Sequence, residues 1–251
     1  MKRVDLELRE HSVKVGDICG YIEPNITEDS LFYDGDELVG FFIRDVNKHN
    51  EQLGKLINIA DAELRSDRVP KTDMKRSSGV YQYSTILGAV PPRPHMRRPY
   101  ATISSVHASK TAKTFVKAMS LAAKESERVM YDLAPDIFKK QFEIFRKVPG
   151  KWKFGNIFTS SISNYNIAAP YHRDTANLEG CVNVIICKRQ NSKGGCTTIP
   201  DYGVTVDSCD NSMLVYPAWR NVHGVTPIVP LSDGGYRNTL VFYPLKAFLD
   251  D

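Results

Sequence analysis

Apolar and polar positions follow two different periods along this chain. Near the N-terminus, Glu37-Leu38-Val39-Gly40-Phe41-Phe42-Ile43-Arg44 reads as a buried strand, and 18–22 as a shorter strand-like piece. Asn50 suits the N-cap of a helix over 51–66, whose apolar positions Leu53, Leu56, Ile57 and Ala60 share one face. Ser109 is placed to cap a longer helix over 110–133, with Phe115, Met119, Ala122, Val129 and Leu133 as its apolar stripe. Pro135 fits the first turn of a third helix over 135–147, which Pro149-Gly150 ends. Between the first two helices, 67–108 shows no long period. Its prolines, dense over 91–99, predict an extended loop.

From Trp152 the texture changes. Short apolar runs at 157–163, 181–187, Thr197–Ile199, Val204–Val206, Met213–Tyr216 and Tyr236–Tyr243 are separated by turn signals such as Lys193-Gly194-Gly195 and Ser232-Asp233-Gly234-Gly235. Many short strands with glycine turns predict a sandwich or jelly roll. The expected organisation is a helical and loop-rich part over 1–150 packed on a β core over 151–251, as one compact domain.

Composition narrows the class. Apolar residues at 42% and charged residues at 25% are those of an ordinary globular chain. No apolar run approaches the ~20 residues a membrane helix needs, and the charged start Met1-Lys2-Arg3 lacks the apolar core of a signal peptide. The expectation is a cytoplasmic monomer with no membrane partner. The five cysteines are odd in number and form no CxxC, which speaks against a disulfide framework or a zinc ribbon.

Charge changes the picture more. Residues 65–153 hold nineteen Lys and Arg against seven Asp and Glu, whereas 1–64 hold seven against fourteen. This basic segment interleaves cations with Tyr81, Tyr83 and Tyr100, as a nucleic-acid surface does. A solvated lysine-rich helix face and aromatics packed inward account for the same residues.

The candidate chemistry lies in the C-terminal part. His172 and Asp174, two apart, point the same way on an extended segment, and His223 can come from a facing strand. Two imidazoles and a carboxylate on one face of an octahedron are the ligand set of non-haem Fe(II) oxygenases, leaving positions for a bidentate 2-oxo acid and O2. Such a co-substrate, 2-oxoglutarate, needs a cation for its distal carboxylate. Arg237 lies on a strand with Thr239 on the same side. Zinc in a hydrolase uses similar ligands but leaves Arg237 unexplained. A silent barrel that binds nucleic acid is the non-enzymatic alternative.

The segments His172-Arg173-Asp174-Thr175-Ala176-Asn177-Leu178-Glu179-Gly180-Cys181 and Arg237-Asn238-Thr239-Leu240-Val241-Phe242-Tyr243-Pro244-Leu245-Lys246 resemble the iron-binding segment and C-terminal strand of the TET/JBP oxygenases. The resemblance covers about 160–246. It implies an α+β chain with a double-stranded β-helix (jelly roll) oxygenase core and flanking helices, and a dioxygenase using Fe(II), 2-oxoglutarate and O2. Its implied reaction is oxidation of a pyrimidine 5-methyl group in nucleic acid, 5-methylcytosine in the TET branch and thymine in the JBP branch. DNA is the favoured partner; RNA, protein and small-molecule substrates are the alternatives. Carried over by position, His172, Asp174 and His223 hold iron. Arg237 and Thr239 hold 2-oxoglutarate, with Asn164 and Tyr165 as further co-substrate contacts. Asn177 hydrogen-bonds the flipped base and Tyr243 stacks on it. Independently of the resemblance, Trp219, just before His223, is placed either to line the mouth of the site or to pack in the core. One position departs: where TET enzymes have a histidine that reads cytosine, this chain has Leu245, which neither donates nor accepts.

Overall fold

The computed structural model describes residues 1–71, 73–77, 80–96 and 98–249, with the backbone alone for 73–77, 80 and 96. In chain order the strands are β1 (Lys2–Asp5), β2 (Ser30–Asp34), β3 (Glu37–Ile43), β4 (Asp73–Ser77), β5 (Val80–Val90), β6 (Thr102–Ile103), β7 (Ser160–Tyr165), β8 (Asn183–Gln190), β9 (Ser192–Gly194), β10 (Thr197–Ile199), β11 (Val204–Val206), β12 (Met213–Tyr216), β13 (Gly224–Val225), β14 (Ile228–Pro230) and β15 (Tyr236–Tyr243). The helices are α1 (Glu51–Leu64), α2 (Lys113–Leu133) and α3 (Pro135–Phe145). No helix among the described residues is long and apolar enough to cross a membrane.

The major sheet runs β1-β2-β3-β12-β8-β15-β7-β5-β4, and a minor sheet runs β11-β10-β13. Strands from both halves of the sequence interleave in the major sheet. Its two faces are set by strand parity. On β3, Phe41 and Ile43 join the cluster under the helices, while Phe42 joins a second cluster with Val204 and Val206 of the minor sheet. The helices therefore cover one face, and the jelly-roll interior lies on the other. Asp61 of α1 fixes this arrangement by accepting hydrogen bonds from the Tyr236 hydroxyl and the Asn238 amide on β15. Holding 236 and 238 to the helix side turns 237 and 239 inward.

α1 starts as expected, with Asn50 Oδ1 accepting from the Leu53 amide at 2.9 Å. Three expectations differ. The second helix begins at Lys113 after Ala112 without a side-chain cap, because Ser109 instead meets Thr111. Residues 18–22 form no strand, and Ile18 stands 88% exposed. The segment expected to be loop contains β4, β5 and β6. β5 is not read as a strand because its partner β7 is itself serine-rich. Its alternation becomes intelligible only through pairing, from Tyr83 opposite Tyr165 to Gly88 opposite Ser160. The described residues of the proline-rich part, 91–96 and 98–100, stay outside the strands.

Candidate metal centre and adjoining cavities

His172 and His223 form an isolated antiparallel bridge, each backbone N–H donating to the other's carbonyl at 2.8 and 2.9 Å. Their rings therefore stand side by side, 4.3 Å apart between centroids. The Nδ1 of His172 lies 2.8 Å from the Pro170 carbonyl and that of His223 3.1 Å from the Asn221 carbonyl. A carbonyl only accepts, so both Nδ1 atoms carry the proton and both Nε2 lone pairs are left for a ligand. Asp174 brings Oδ1 to 3.5 Å from His172 Nε2. One ligand atom from each of the three lies within 4.8 Å of the others. Neighbouring ligands on an octahedral ion with bonds of about 2.1 Å sit about 3 Å apart, so a slight closure completes the set. Burial first, then the charge of His172, lowers the pKa of His223, against the opposing pull of Asp174. That favours the neutral imidazole a metal requires.

Two cavities meet at this triad. The first, about 190 Å³, is lined by all three ligands together with Asn164, Arg237 and Thr239. Arg237 is 2% exposed and its Nε is buried without a partner; its neighbours among the described residues are the Cys187 thiol, Arg189 and Cys196, not a carboxylate. Burial lowers its pKa, opposed by the Cys187 thiol and reinforced by Arg189. A buried guanidinium without a counter-ion is costly, and a carboxylate entering this cavity removes that cost. Gly195 makes the placement possible. With φ at +66°, an added Cβ would stand 2.9 Å from Arg237 Cδ and Nε. The site thus fits an iron ion, by donor set, and a dicarboxylate, by its orphaned cation.

The second cavity, about 390 Å³, is lined by Asn177, Tyr243 and Leu245 with Ile86, Arg93 and Arg173. Asp174, Asn183, Ile162 and Val241 line both cavities, so the metal carboxylate stands at their junction. Tyr243 is partly buried there, and desolvation, then Asp174, pushes its phenol up to about 12, so it stays neutral.

Two expected contacts lie elsewhere. Tyr165 follows Asn164 on β7 and so faces the opposite side of the sheet, stacked on Tyr83 at 4.6 Å and on Tyr236 at 6.0 Å. Asn164 alone of that pair reaches the first cavity, with Oδ1 accepting from Ser84 Oγ at 3.0 Å. Trp219 donates Nε1 to the Cys181 carbonyl at 2.8 Å and lines a separate groove with Glu37 and Lys140. The carbonyl claims its only polar atom, which anchors the ring away from the triad.

The basic segment divides. Arg65, Arg68, Arg128, Lys140 and Arg146 pair with nearby carboxylates. Arg93 reaches the second cavity. The side chains of Lys75, Arg76 and Arg97, and residues Ser78 and Gly79, lie outside those described. Tyr83 is buried with its hydroxyl donating to the Leu64 carbonyl, whereas Tyr100 is exposed. Asn183 and Arg93 carry no motif, while Arg173 and Gly195 lie in the HxD segment and a glycine turn with no role assigned by the sequence. The signal for Asn183 is one polar residue inside the apolar run Val182-Asn183-Val184-Ile185-Ile186.

No protein-family model matches the chain, and no curated protein does. Among solved structures it is similar to NgTET1 in complex with 5mC DNA, at 12% identity, over 92% of this chain and 83% of that one, with a TM-score of 0.61. It is also similar to an oxidoreductase of the 2OG-Fe(II) oxygenase family from Burkholderia pseudomallei, at 11% identity over 81% and 84% of the two chains, with a TM-score of 0.49. The chain shares the fold of NgTET1.

Proposed function

We propose that this chain is an Fe(II)- and 2-oxoglutarate-dependent dioxygenase that hydroxylates the 5-methyl group of a pyrimidine flipped out of DNA, with 5-methylcytosine as the favoured base. One observation carries the reading. The carboxylate of a His-Asp-His triad forms the wall between a cavity holding an orphaned arginine and a wider cavity holding Asn177 and Tyr243. Iron with 2-oxoglutarate and O2 supplies hydroxylation of an unactivated C–H bond, converting 2-oxoglutarate to succinate and CO2.

The chain's own residues bind, orient and exclude water. His172, Asp174 and His223 hold the metal through two Nε2 atoms and Oδ1. Arg237 pairs with the distal carboxylate of the co-substrate, and Thr239 on the same strand face offers it a hydroxyl. Ile162, Ile185 and Val241 give the junction apolar walls. A methyl group inside a duplex is out of reach of such a site, so the base must leave the stack. Tyr243 then stacks on it and Asn177 bonds its edge, while Arg93 and Arg173 meet the flanking phosphates. The remaining cations of 65–153 extend that grip over the N-terminal part.

Leu245 favours a second reading. It lines the base cavity and offers no polar atom, so thymine is the alternative base. The test is succinate production with 2-oxoglutarate and Fe(II), with and without DNA carrying 5-methylcytosine or thymine. Stimulation by methylated DNA above the unmethylated control supports the first reading. Equal stimulation supports the thymine reading, and no stimulation by either removes both.

A further inference from the structure

Asn183 opens β8 at 2% exposure, and its side chain points to the junction of the two cavities. Its Nδ2 donates to Asp174 Oδ2 at 3.1 Å. Its Oδ1 accepts from Asn177 Nδ2 at 2.9 Å, and that same Nδ2 lies 3.4 Å from Asp174 Oδ2. The backbone N–H of Asn177 donates to the Asp174 carbonyl at 2.9 Å, which fixes where the amide starts from.

The order of donors in this relay follows from its anchor. A metal-binding carboxylate is ionised and only accepts. Asn183 must therefore turn its NH2 to Asp174 and its carbonyl away. Asn177 must then turn its own NH2 to that carbonyl. What remains is Asn177 Oδ1, which has no partner among the described residues, although Asn177 is 4% exposed and lines the wider cavity. The same relay divides the carboxylate. Oδ2 is engaged by amides, and Oδ1 is the oxygen facing His172.

We propose that Asn183 is a positioning residue that couples the metal ligand to substrate selection: it reserves Asp174 Oδ1 for the metal and turns the Asn177 carbonyl into the base cavity, so that the cavity reads a hydrogen-bond donor on the base. This rests on the base-oxidation reading above. An amide carbonyl pairs with the exocyclic amine of a cytosine or the ring N–H of a thymine. It rejects a pyrimidine edge that offers acceptors alone, because the carbonyl then loses its water and gains nothing. Leu245, bridged to Asn177 through the backbone, supplies no second polar group to relax that requirement.

The experiment pairs a substrate change with two variants. Wild-type protein is compared on DNA carrying 5-methylcytosine and on DNA carrying 5-methylpyrimidin-2-one, which has the methyl group but no N–H. The expected kcat/KM ratio is about ten- to a hundredfold in favour of 5-methylcytosine. In Asn183→Leu the Asn177 amide loses its 2.9 Å partner and keeps only the long 3.4 Å contact to Asp174 Oδ2, which holds it less firmly, and the ratio is expected to fall toward one. A merely structural loss lowers both substrates together and leaves the ratio. The analogue also pairs more weakly in the duplex, a difference that cancels when the wild-type ratio is divided by the variant's.

Mn(II) affinity by calorimetry, with no DNA present, is read in parallel. Asn183→Leu is expected to weaken it about ten- to a hundredfold. Asn177→Leu, which keeps Asn183 on Asp174, is expected to abolish the ratio while holding Mn(II) affinity within about threefold of wild type. A wild-type ratio near one overturns the proposal, and so does an Asn183→Leu protein with ratio and Mn(II) affinity unchanged. If no 5-methylpyrimidine turns over, the base-oxidation reading fails on its own. The Mn(II) titration then decides the relay, and unchanged affinity in Asn183→Leu overturns it.

Discussion

Replacing Gly195 by alanine tests whether Arg237 is held as a co-substrate ligand. The new Cβ would lie 2.9 Å from Arg237 Cδ and Nε and 3.0 Å from Ile228 Cγ1, on a backbone with φ at +66°. Two costs arise. The left-handed backbone costs an alanine about 1–2 kcal/mol, or about 2–8 °C in melting temperature for a chain of this size. The contact also pushes the arginine stem away, and a charge-assisted hydrogen bond to the distal carboxylate is worth about 1.5–3 kcal/mol. Losing one weakens 2-oxoglutarate binding about ten- to a hundredfold. Gly234→Ala separates the two costs. Its φ is +74° with nothing within 4 Å of the added Cβ, so it bears the backbone cost alone. The assay is calorimetric titration of 2-oxoglutarate into Mn(II)-loaded protein, with thermal melts of all three proteins. Both variants should melt lower, and only Gly195→Ala should bind 2-oxoglutarate more weakly. Equal 2-oxoglutarate affinity in Gly195→Ala and Gly234→Ala would refute the role given to Arg237.

His107, half-buried, accepts the Gly88 N–H at Nε2, and burial lowers its pKa. The unfolded chain then takes up this proton first, near pH 6.5, so folding stability falls as pH drops below about 6.5. Urea unfolding at pH 5.5 and 7.5 should show a smaller loss in His107→Gln than in wild type; identical losses would exclude this histidine as the cause. Arg93→Ala should reduce the salt slope of DNA binding by about 0.9 in fluorescence anisotropy, and an unchanged slope removes its phosphate contact. Tyr243→Leu should raise KM for the DNA substrate about tenfold or more while Tyr243→Phe stays within about threefold, because the stacking face and not the hydroxyl does the binding. Equal KM values in the two variants would contradict that.

Much of the site was legible in sequence because its chemistry is carried by short spacings. Two residues on one face of an extended segment stay together whatever else the chain does, as His172 with Asp174 and Arg237 with Thr239 do. What was illegible depends on partners. β5 becomes a strand by pairing with the polar β7, and the two together wall the site through Ile86 and Ile162. Tyr165 was one residue out of phase, and in a strand one residue means the other face. Trp219 was placed by nearness in sequence to His223, but its indole N–H is claimed by Cys181. Asn183 meets Asp174 nine residues back across a loop, and Gly195 meets Arg237 of a distant strand, pairings that no spacing in the sequence marks.

The most direct measurement is nucleoside mass spectrometry of DNA containing 5-methylcytosine, incubated with the protein, Fe(II), 2-oxoglutarate and ascorbate. The expected result is 5-hydroxymethylcytosine that requires 2-oxoglutarate and disappears in His172→Ala. DNA whose 5-methylcytosine and thymine are both unchanged, or product that survives His172→Ala, contradicts the account.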